Sequence, residues 1–298
     1  MATLLVLAAG MGSRYGGLKQ MDPMGPNGET ILDYSVYDAI RAGFDKVVFI
    51  IRKSFAAEFE AHATERYGDQ VELSFCYQEI DNLPTGYDCP ADRVKPWGTA
   101  HAIWVARELV QDNFAVINAD DYYGVLAFGT AVQFLQEQPV ESSNFGMVAY
   151  QLVNTLSEHG GVNRGVVHQQ EGLLCDVNEV LQIQREDDGV IRGVDDASTQ
   201  YTLTDDTLVS MNFFLFTPSL FGYLDSFLDE FFSSRLTEEK SESYIPAVVD
   251  SLIKSEQATC TVMHSSDQWF GVTYPDDKPI VQQAIAQCIT DGVYPEAL

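Results

Sequence analysis

The sequence predicts an α/β fold of three layers (α/β/α), a mostly parallel, mixed sheet with helices on both faces, and three observations predict it. Strand-like and helix-like segments alternate through the first half of the chain, the strand candidates are nearly continuous apolar runs, and the segments between them carry apolar residues at three- and four-residue spacing. Continuous apolar runs are what a strand covered on both faces requires, and a spacing of three to four is the period of a helix with one buried face.

In chain order, strands are expected at residues 3–8, 46–51, 71–77, 114–118 and 145–152, and helices at 30–42, 55–67, 99–110 and 126–136. Gly43 and Gly68 stand where helix C-caps are wanted. Residues 80–97 (IDNLPTGYDCPADRVKPW) break the rhythm with three prolines and a glycine and form a long loop, a length usually functional or disordered in compact domains. The second half reads as strands at 164–168, 173–184 and 207–216, helices at 219–232 and 244–255, a strand at 259–264 and a helix at 278–289. Phe213, Phe214 and Phe216 read as a core strand. Neither a linker nor an internal repeat is evident, so one domain over residues 1–298 is expected, with halves 1–125 and 126–298.

A chain of 298 residues, 46% hydrophobic and 20% charged, has enough apolar material for a proper core, which excludes disordered, collagen-like and mini-protein classes. Its formal net charge of −27 repels nucleic-acid phosphates and anionic membranes at long range, so neither is an expected partner. The charge is uneven. Residues 1–53 hold Arg14, Lys19, Arg41, Lys46, Arg52 and Lys53 against Asp22, Glu29, Asp33, Asp38 and Asp45, a balance of +1, while the remainder carries −28. That excess reads as solubility or adaptation to salt in preference to an acidic partner surface.

Five widely spaced cysteines without a C-x-x-C indicate neither a disulfide framework nor a zinc knuckle, and a reducing cytoplasm is the expected location. No apolar run approaches the roughly 18 residues of a membrane helix. Residues 4–9 lack a preceding basic residue and lead straight into a glycine-rich turn, as a buried strand does and a signal peptide does not. The five histidines show no H-x-x-x-H and no G-x-S-x-G elbow is present, so metalloprotease-type and serine-hydrolase chemistry find no support.

Two segments carry chemistry on their own residues. After the first strand comes AAGMGSRYGGLKQ, residues 8–20, whose glycines let main-chain N–H groups approach a phosphate and whose Arg14 and Lys19 supply charge. It is not a dinucleotide fingerprint, because Tyr15 stands at the third glycine position, and not a Walker loop, because Leu18 stands at the lysine position. The second segment, VINADDYYG, puts Asp120 and Asp121 at the carboxyl end of a buried strand, where ligands sit in open α/β sheets. Adjacent carboxylates need a cation or solvent to relieve their repulsion, and Mg²⁺ suits them; helix capping is the alternative for Asp121.

Gly10, Gly12, Arg14 and Lys19-Gln20 together resemble, in order, the signature of the nucleotidyltransferases that join sugar 1-phosphates to nucleoside triphosphates. The resemblance continues through PNGETILDYSVYDAIRAGFDKVVFII (26–51), the family's first long helix and second strand, and through Trp97-Gly98-Thr99-Ala100-His101-Ala102, similar to its G-T-A-x-A element. It implies the nucleotide-diphospho-sugar transferase fold, with the cleft at the carboxyl ends of the strands. By the same resemblance the loop with Gly12 wraps the triphosphate, Arg14 and Lys19 hold its phosphates, and main chain near Ala9 and Gly10 meets the base. Gln78 resembles the glutamine that pairs with a pyrimidine edge, and Gly98 and Thr99 bring a helix N-terminus beside it. Asp120 takes the Mg²⁺ position of a G-D-x-x-Y-G element and Asp121 lies next to the substrate. Gly165, Glu179 and Asn212 match the acceptor-side elements.

Two positions depart from the family pattern. Gly271 stands where a W-x-D-x-G stretch carries a second metal acid, leaving Asp120 with substrate oxygens, or Asp267, Asp276 or Asp277 as substitutes. Val180 stands where a phosphate-binding lysine follows Glu179, a loss to be met by Arg164, Arg185 or Arg52, or by a differently shaped acceptor. The implied activity is Mg²⁺-dependent transfer of a nucleoside monophosphate from a nucleoside triphosphate to a phosphorylated acceptor, a sugar 1-phosphate by the resemblance, with Arg14, Lys19 and Asp120 catalytic. Three rivals stand beside it: a glycosyltransferase on the same fold, a cytidylyltransferase acting on a phosphorylated alcohol such as phosphocholine, and a non-catalytic nucleotide sensor. Members of the family are often oligomers, so a homo-oligomer is part of the same expectation.

Overall fold

One mixed sheet of eleven strands runs through the computed structural model, which describes residues 1–10, 21–157, 160–271 and 277–298. The first half supplies β1 (Ala2–Leu7), α1 (Ile31–Ala42), β2 (Lys46–Ile51), α2 (Ala56–Tyr67), β3 (Glu72–Tyr77), α3 (Thr99–Val105), β4 (Asn113–Asn118) and β5 (Asp121–Tyr122). Then come α4 (Val125–Glu137), β6 (Asn144–Gln151), β7 (Val162–Gln170), β8 (Leu173–Arg185), β9 (Ile191–Val194), β10 (Gln200–Leu203) and β11 (Leu208–Phe216). The chain closes with α5 (Leu220–Arg235), α6 (Ile245–Lys254), β12 (Thr259–Ser265), β13 (Phe270–Gly271) and α7 (Lys278–Thr290).

The strand order is β10-β9-β8-β12-β6-β11-β4-β1-β2-β3, with β7 bridging β11 and β8, and β5 pairs β13 in a separate ribbon. Pairs β1–β2, β1–β4, β2–β3 and β6–β12 are parallel, whereas β11 runs antiparallel to both β4 and β6 between them. Alternation along β1 shows why its residues are apolar throughout. Leu4 and Val6 pack with Leu32, Val36, Phe59 and Phe128 on one face, and Leu5 packs with Ile103, Trp104, Leu220 and Val248 on the other. Helices α1, α2 and α4 thus cover one face, and α3, α5 and α6 the other.

Some boundaries and elements differ from expectation for local reasons. The helix expected over 99–110 stops at Val105, because the N–H groups of Ala106, Arg107 and Leu109 bond carbonyls three residues back and tighten the chain into turns. Gly43 adopts the left-handed C-cap, at φ 106°, but Gly68 stays right-handed at φ −57°. Strands β5, β9, β10 and β13 were not expected: they span two to four residues, too short for a periodic signal. None of the described helices is long and apolar enough to cross a membrane.

The 80–97 loop is ordered by one side chain. The buried Arg93 guanidinium donates to the carbonyls of Lys95, Pro96, Glu238, Glu239 and Ser241, and lies 3.7 Å over the fully buried Trp97 ring. Those contacts tie the loop to the segment between α5 and α6.

The ribbon that follows the two aspartates is buttressed by the C-terminal segment. Tyr122 stacks on Phe270 at 4.3 Å, its hydroxyl lies 2.8 Å from that of Tyr294, and Tyr294 donates to Asp38 Oδ2 at 2.6 Å. Among the described residues Asp38 Oδ1, which is buried, has no hydrogen-bond partner. Burial pushes this carboxyl up from about 3.8 to about 7, against the opposing hydrogen bond from Tyr294. The folded state therefore holds a proton that the unfolded chain has released, and the stability it contributes is lost as pH rises from about 4 to about 7. Asp38→Asn is expected to flatten that part of the stability profile by a few kcal/mol relative to the parent, read from urea denaturation midpoints across the same pH range.

Candidate active site

The carboxyl ends of β1 and β4 open into a cleft of about 910 Å³. On one side it is lined by Ala9, Gly10, Gln78, Gly98 and Thr99, at its centre by Asp120 and Asp121, and on the other side by Gly165, Glu179 and Asn212. Gly12, Arg14 and Lys19 lie outside the described residues, as does Asp276.

On the first side, a hydrogen-bond chain orients Gln78. His101 is fully buried, which pushes its imidazole down to about 4 and keeps it neutral. Its Nε2 lies 2.6 Å from the Asn82 carbonyl and must carry the proton, so Nδ1 is an acceptor. Gln78 Nε2 then donates to Gly98 O at 2.9 Å and toward His101 Nδ1 at 3.4 Å, which leaves Oε1 as the face that Gln78 can offer a ligand. Gly98 has φ 95°, and a Cβ there would fall 2.3 Å from the Ser243 carbonyl, so both conformation and space demand glycine. The Thr99 hydroxyl accepts the Ile245 N–H at 3.0 Å, so this side chain serves the start of α6 while its residue lines the cleft.

At the centre, Asp121 Oδ2 accepts from Asn118 Nδ2 at 2.9 Å and its carbonyl accepts from Ser35 Oγ at 3.2 Å. The capping role considered for Asp121 falls instead to Asp267, whose Oδ2 accepts from Ala127 N–H and Ser265 Oγ, both at 2.9 Å. Burial raises the Asp267 carboxyl, and Gly124 is held against it: a Cβ there would lie 2.4 Å away. Asp267 is thus committed to the N-terminus of α4, and Asp277 stands at the start of α7. Gly271 pairs with Asp121 across the β5–β13 ribbon, and a Cβ on it would fall 2.6 Å from Asp121 Oδ1 and 3.0 Å from the Trp269 ring. The place expected for a second acid is filled by Asp121 itself.

Among the described residues no group of three His, Cys, Asp or Glu gathers into a metal cage. Two hard carboxylates lining an open cleft still fit a Mg²⁺ ion, which characteristically takes one or two protein carboxylates and completes its shell with water and phosphate oxygens.

On the far side, Gly165 stands opposite Glu179 in the β7–β8 register, and a Cβ on it would meet Val177 Cγ1 at 2.7 Å. Val180 is fully buried, so position 180 faces the core and could not place a lysine in the cleft. Asn212 sits at φ 61° in the bulge between Ser210 and Phe214, a left-handed conformation that a side chain adopts only when its surroundings hold it there. Phe213, Phe214 and Phe216 are buried.

The cleft also contains Glu242, Tyr244 and Trp269, which motif reading does not single out as site residues. Glu242 pairs with Lys95 and accepts from the Tyr244 hydroxyl, and burial together with Glu242 pushes that phenol up to about 12. Glu242 and Tyr244 belong to the segment that Arg93 clamps, and only long-range packing brings them here.

The model of the family described as Nucleotidyl transferase matches residues 3–270. Solved structures share the fold at low identity. One assigned as a glucose-1-phosphate thymidylyltransferase from Bacillus anthracis, in complex with a sucrose, is 14% identical with a TM-score of 0.64, covering 95% of each chain. A UDP-glucose pyrophosphorylase complexed with UDP-glucose is 15% identical with a TM-score of 0.59, covering 96% of this chain and 99% of that one. The inositol-1-phosphate CTP transferase from T. maritima is 12% identical with a TM-score of 0.63, covering 96% of each. No curated protein sequence matches significantly.

The Gly271 contact sets a test of the centre of the site. Gly271→Asp is expected to lower stability by about 2 kcal/mol or more in thermal unfolding, because its side chain meets Asp121 in both space and charge. Gly271→Ala should reproduce the steric part alone, with a smaller loss.

Proposed function

The chain belongs to the nucleotidyl transferase family, and on that premise we propose that it transfers the nucleoside monophosphate of a nucleoside triphosphate to a sugar 1-phosphate, releasing pyrophosphate, in a Mg²⁺-dependent reaction. The observation that carries the reading is convergence. Residues 9–10, 78 and 98, then 120–121, then 165, 179 and 212 are scattered in sequence and line one continuous cleft.

In this mechanism an acceptor phosphate oxygen attacks the α-phosphorus in line. A bond forms from that oxygen to the α-phosphorus as the bond from the α-phosphorus to the pyrophosphate oxygen breaks. A phosphomonoester dianion is already a competent nucleophile, so the protein supplies position and charge and needs no general base. Gln78 Oε1 and the main chain at Gly98 meet the edge of the base, and Ala9 and Gly10 bring the backbone close to the nucleotide. Arg14 and Lys19 neutralise charge developing on the triphosphate. Asp120, with Asp121 beside it, would hold Mg²⁺, which when bound supplies Lewis-acid neutralisation of phosphate charge. Glu179 accepts hydrogen bonds from acceptor hydroxyls, and Asn212 offers both a donor and an acceptor to the same group. The glycine at position 271, where the resembled pattern carries a metal acid, has a steric account in the approach of Asp121.

Pyrophosphate measured from a panel of nucleoside triphosphates and phosphorylated acceptors, with and without Mg²⁺, tests the reading. A nucleotide-sugar product and stoichiometric pyrophosphate are expected with a sugar 1-phosphate. Turnover that needs a phosphorylated alcohol, or none with any pair, overturns the assignment. Lys19→Ala should lower turnover by roughly 10² or more, the scale of losing one preorganised charge donor, in steady-state assays.

A further inference from the structure

The charges facing the cleft are lopsided. Among the described residues that line it, Asp120, Asp121, Glu179 and Glu242 are acidic and Arg164 is the one lysine or arginine. Glu242 is matched by Lys95, but Glu179 and the aspartates repel an incoming phosphomonoester.

Arg164 lies at the edge of this field, half-buried. Its guanidinium sits 4.8 Å over the Trp269 ring, Nε donates to Thr155 Oγ1 at 3.3 Å, Nη2 to Thr155 O at 2.5 Å and Nη1 to Asn163 O at 2.9 Å. Those three partners are neutral. Among the described residues no carboxylate lies within ion-pair distance of it, and Asp121 acts on it only through its field. Burial brings the guanidinium down to about 10, so it remains charged at neutral pH. A half-buried cation held only by neutral acceptors can still take an anion, and a planar guanidinium with donors to spare matches phosphate oxygens in shape.

The lining of the cleft says which anion. Arg164 borders it together with Gly165, Glu179 and Asn212, on the side read as the acceptor's. The other two candidates are elsewhere: Arg185 is held by Asp205 and the Gly189 carbonyl, and neither it nor Arg52 lines the cleft. Resting on the nucleotidyl-transfer reading, we propose that Arg164 binds the phosphate of the acceptor, in the role of the lysine whose position Val180 occupies.

Arg164→Met and Arg164→Lys, with folding verified by thermal unfolding, test this. Arg164→Met is expected to raise the KM for the acceptor by about 10- to 100-fold, the scale of losing hydrogen bonds to a charged group, with the KM for the nucleoside triphosphate within about twofold of the parent. Arg164→Lys, which keeps the charge and loses the fork, should fall between them. Guanidinium ions added to the small-residue variant Arg164→Ala should restore acceptor affinity in part. An acceptor KM unchanged in folded Arg164→Met overturns the assignment while leaving nucleotidyl transfer intact. If Arg164→Met fails to fold, Arg164→Lys decides: equal rises in both KM values mark a structural role and overturn it. Absence of pyrophosphate release by the parent protein with every substrate pair is the failure of the underlying reading instead.

Discussion

The cleft depends on a backbone junction between two distant segments. Ser243 N–H and Oγ both donate to Trp97 O, at 2.7 and 2.6 Å, and Ala100 N–H donates to Ser243 O at 2.9 Å. Gly98 lies between them with no room for a side chain, and Thr99 Oγ1 accepts the N–H of Ile245. This knot fixes the turn that lies beside Gln78 and, through the same bonds, sets the start of α6 and the residues Glu242 and Tyr244 that also line the cleft. Arg93 reinforces it from outside by gathering carbonyls of both segments around one guanidinium, which satisfies those five backbone acceptors. One local geometry therefore sets the Gly98 turn and the Glu242–Tyr244 part of the lining together.

How much of this was readable from the residues follows from the range of the interactions. The central strands and helices were legible to within a few residues, because β1, β2 and β4 are apolar on both faces and α1 carries apolar residues at helical spacing up to Gly43, its left-handed C-cap. The short strands β9 and β10 were not, since four residues with exposed positions carry no period. The backbone positions that line the cleft, Gly98 and Gly165 among them, were legible from motif spacing. The roles of particular carboxylates were not. Asp267 and Asp121 look interchangeable in sequence, and only the fold commits the first to the N-terminus of α4 and brings the second against Gly271.

The same distinction applies to Thr99 and His101. Both lie in the segment that resembles a family fingerprint, yet the Thr99 hydroxyl is spent on α6, while His101 acts through Gln78. A buried neutral imidazole whose Nε2 proton is fixed by Asn82 is an acceptor at Nδ1, and this decides which end of the Gln78 amide points outward. A spacing pattern records that a histidine stands there. It does not record the tautomer, which is set by a carbonyl 19 residues away in sequence.

The departures at positions 180 and 271 belong together electrostatically. Relative to the pattern the chain resembles, one loses a cation and the other an anion, so the local balance is kept while both charges move. Their surroundings meet at Trp269: a side chain on Gly271 would run into one part of that ring, and the Arg164 guanidinium lies over it. With glycine at 271, Asp121 can close on the β5–β13 ribbon, and its field favours the charged state of Arg164, which burial alone would weaken. An acid restored at 271 would crowd Asp121, and a lysine restored at 180 would be buried among core side chains. In a molecule of net charge −27, a cation near the acceptor site has little long-range help, and an indole face gives a guanidinium a seat without adding another carboxylate to the cleft.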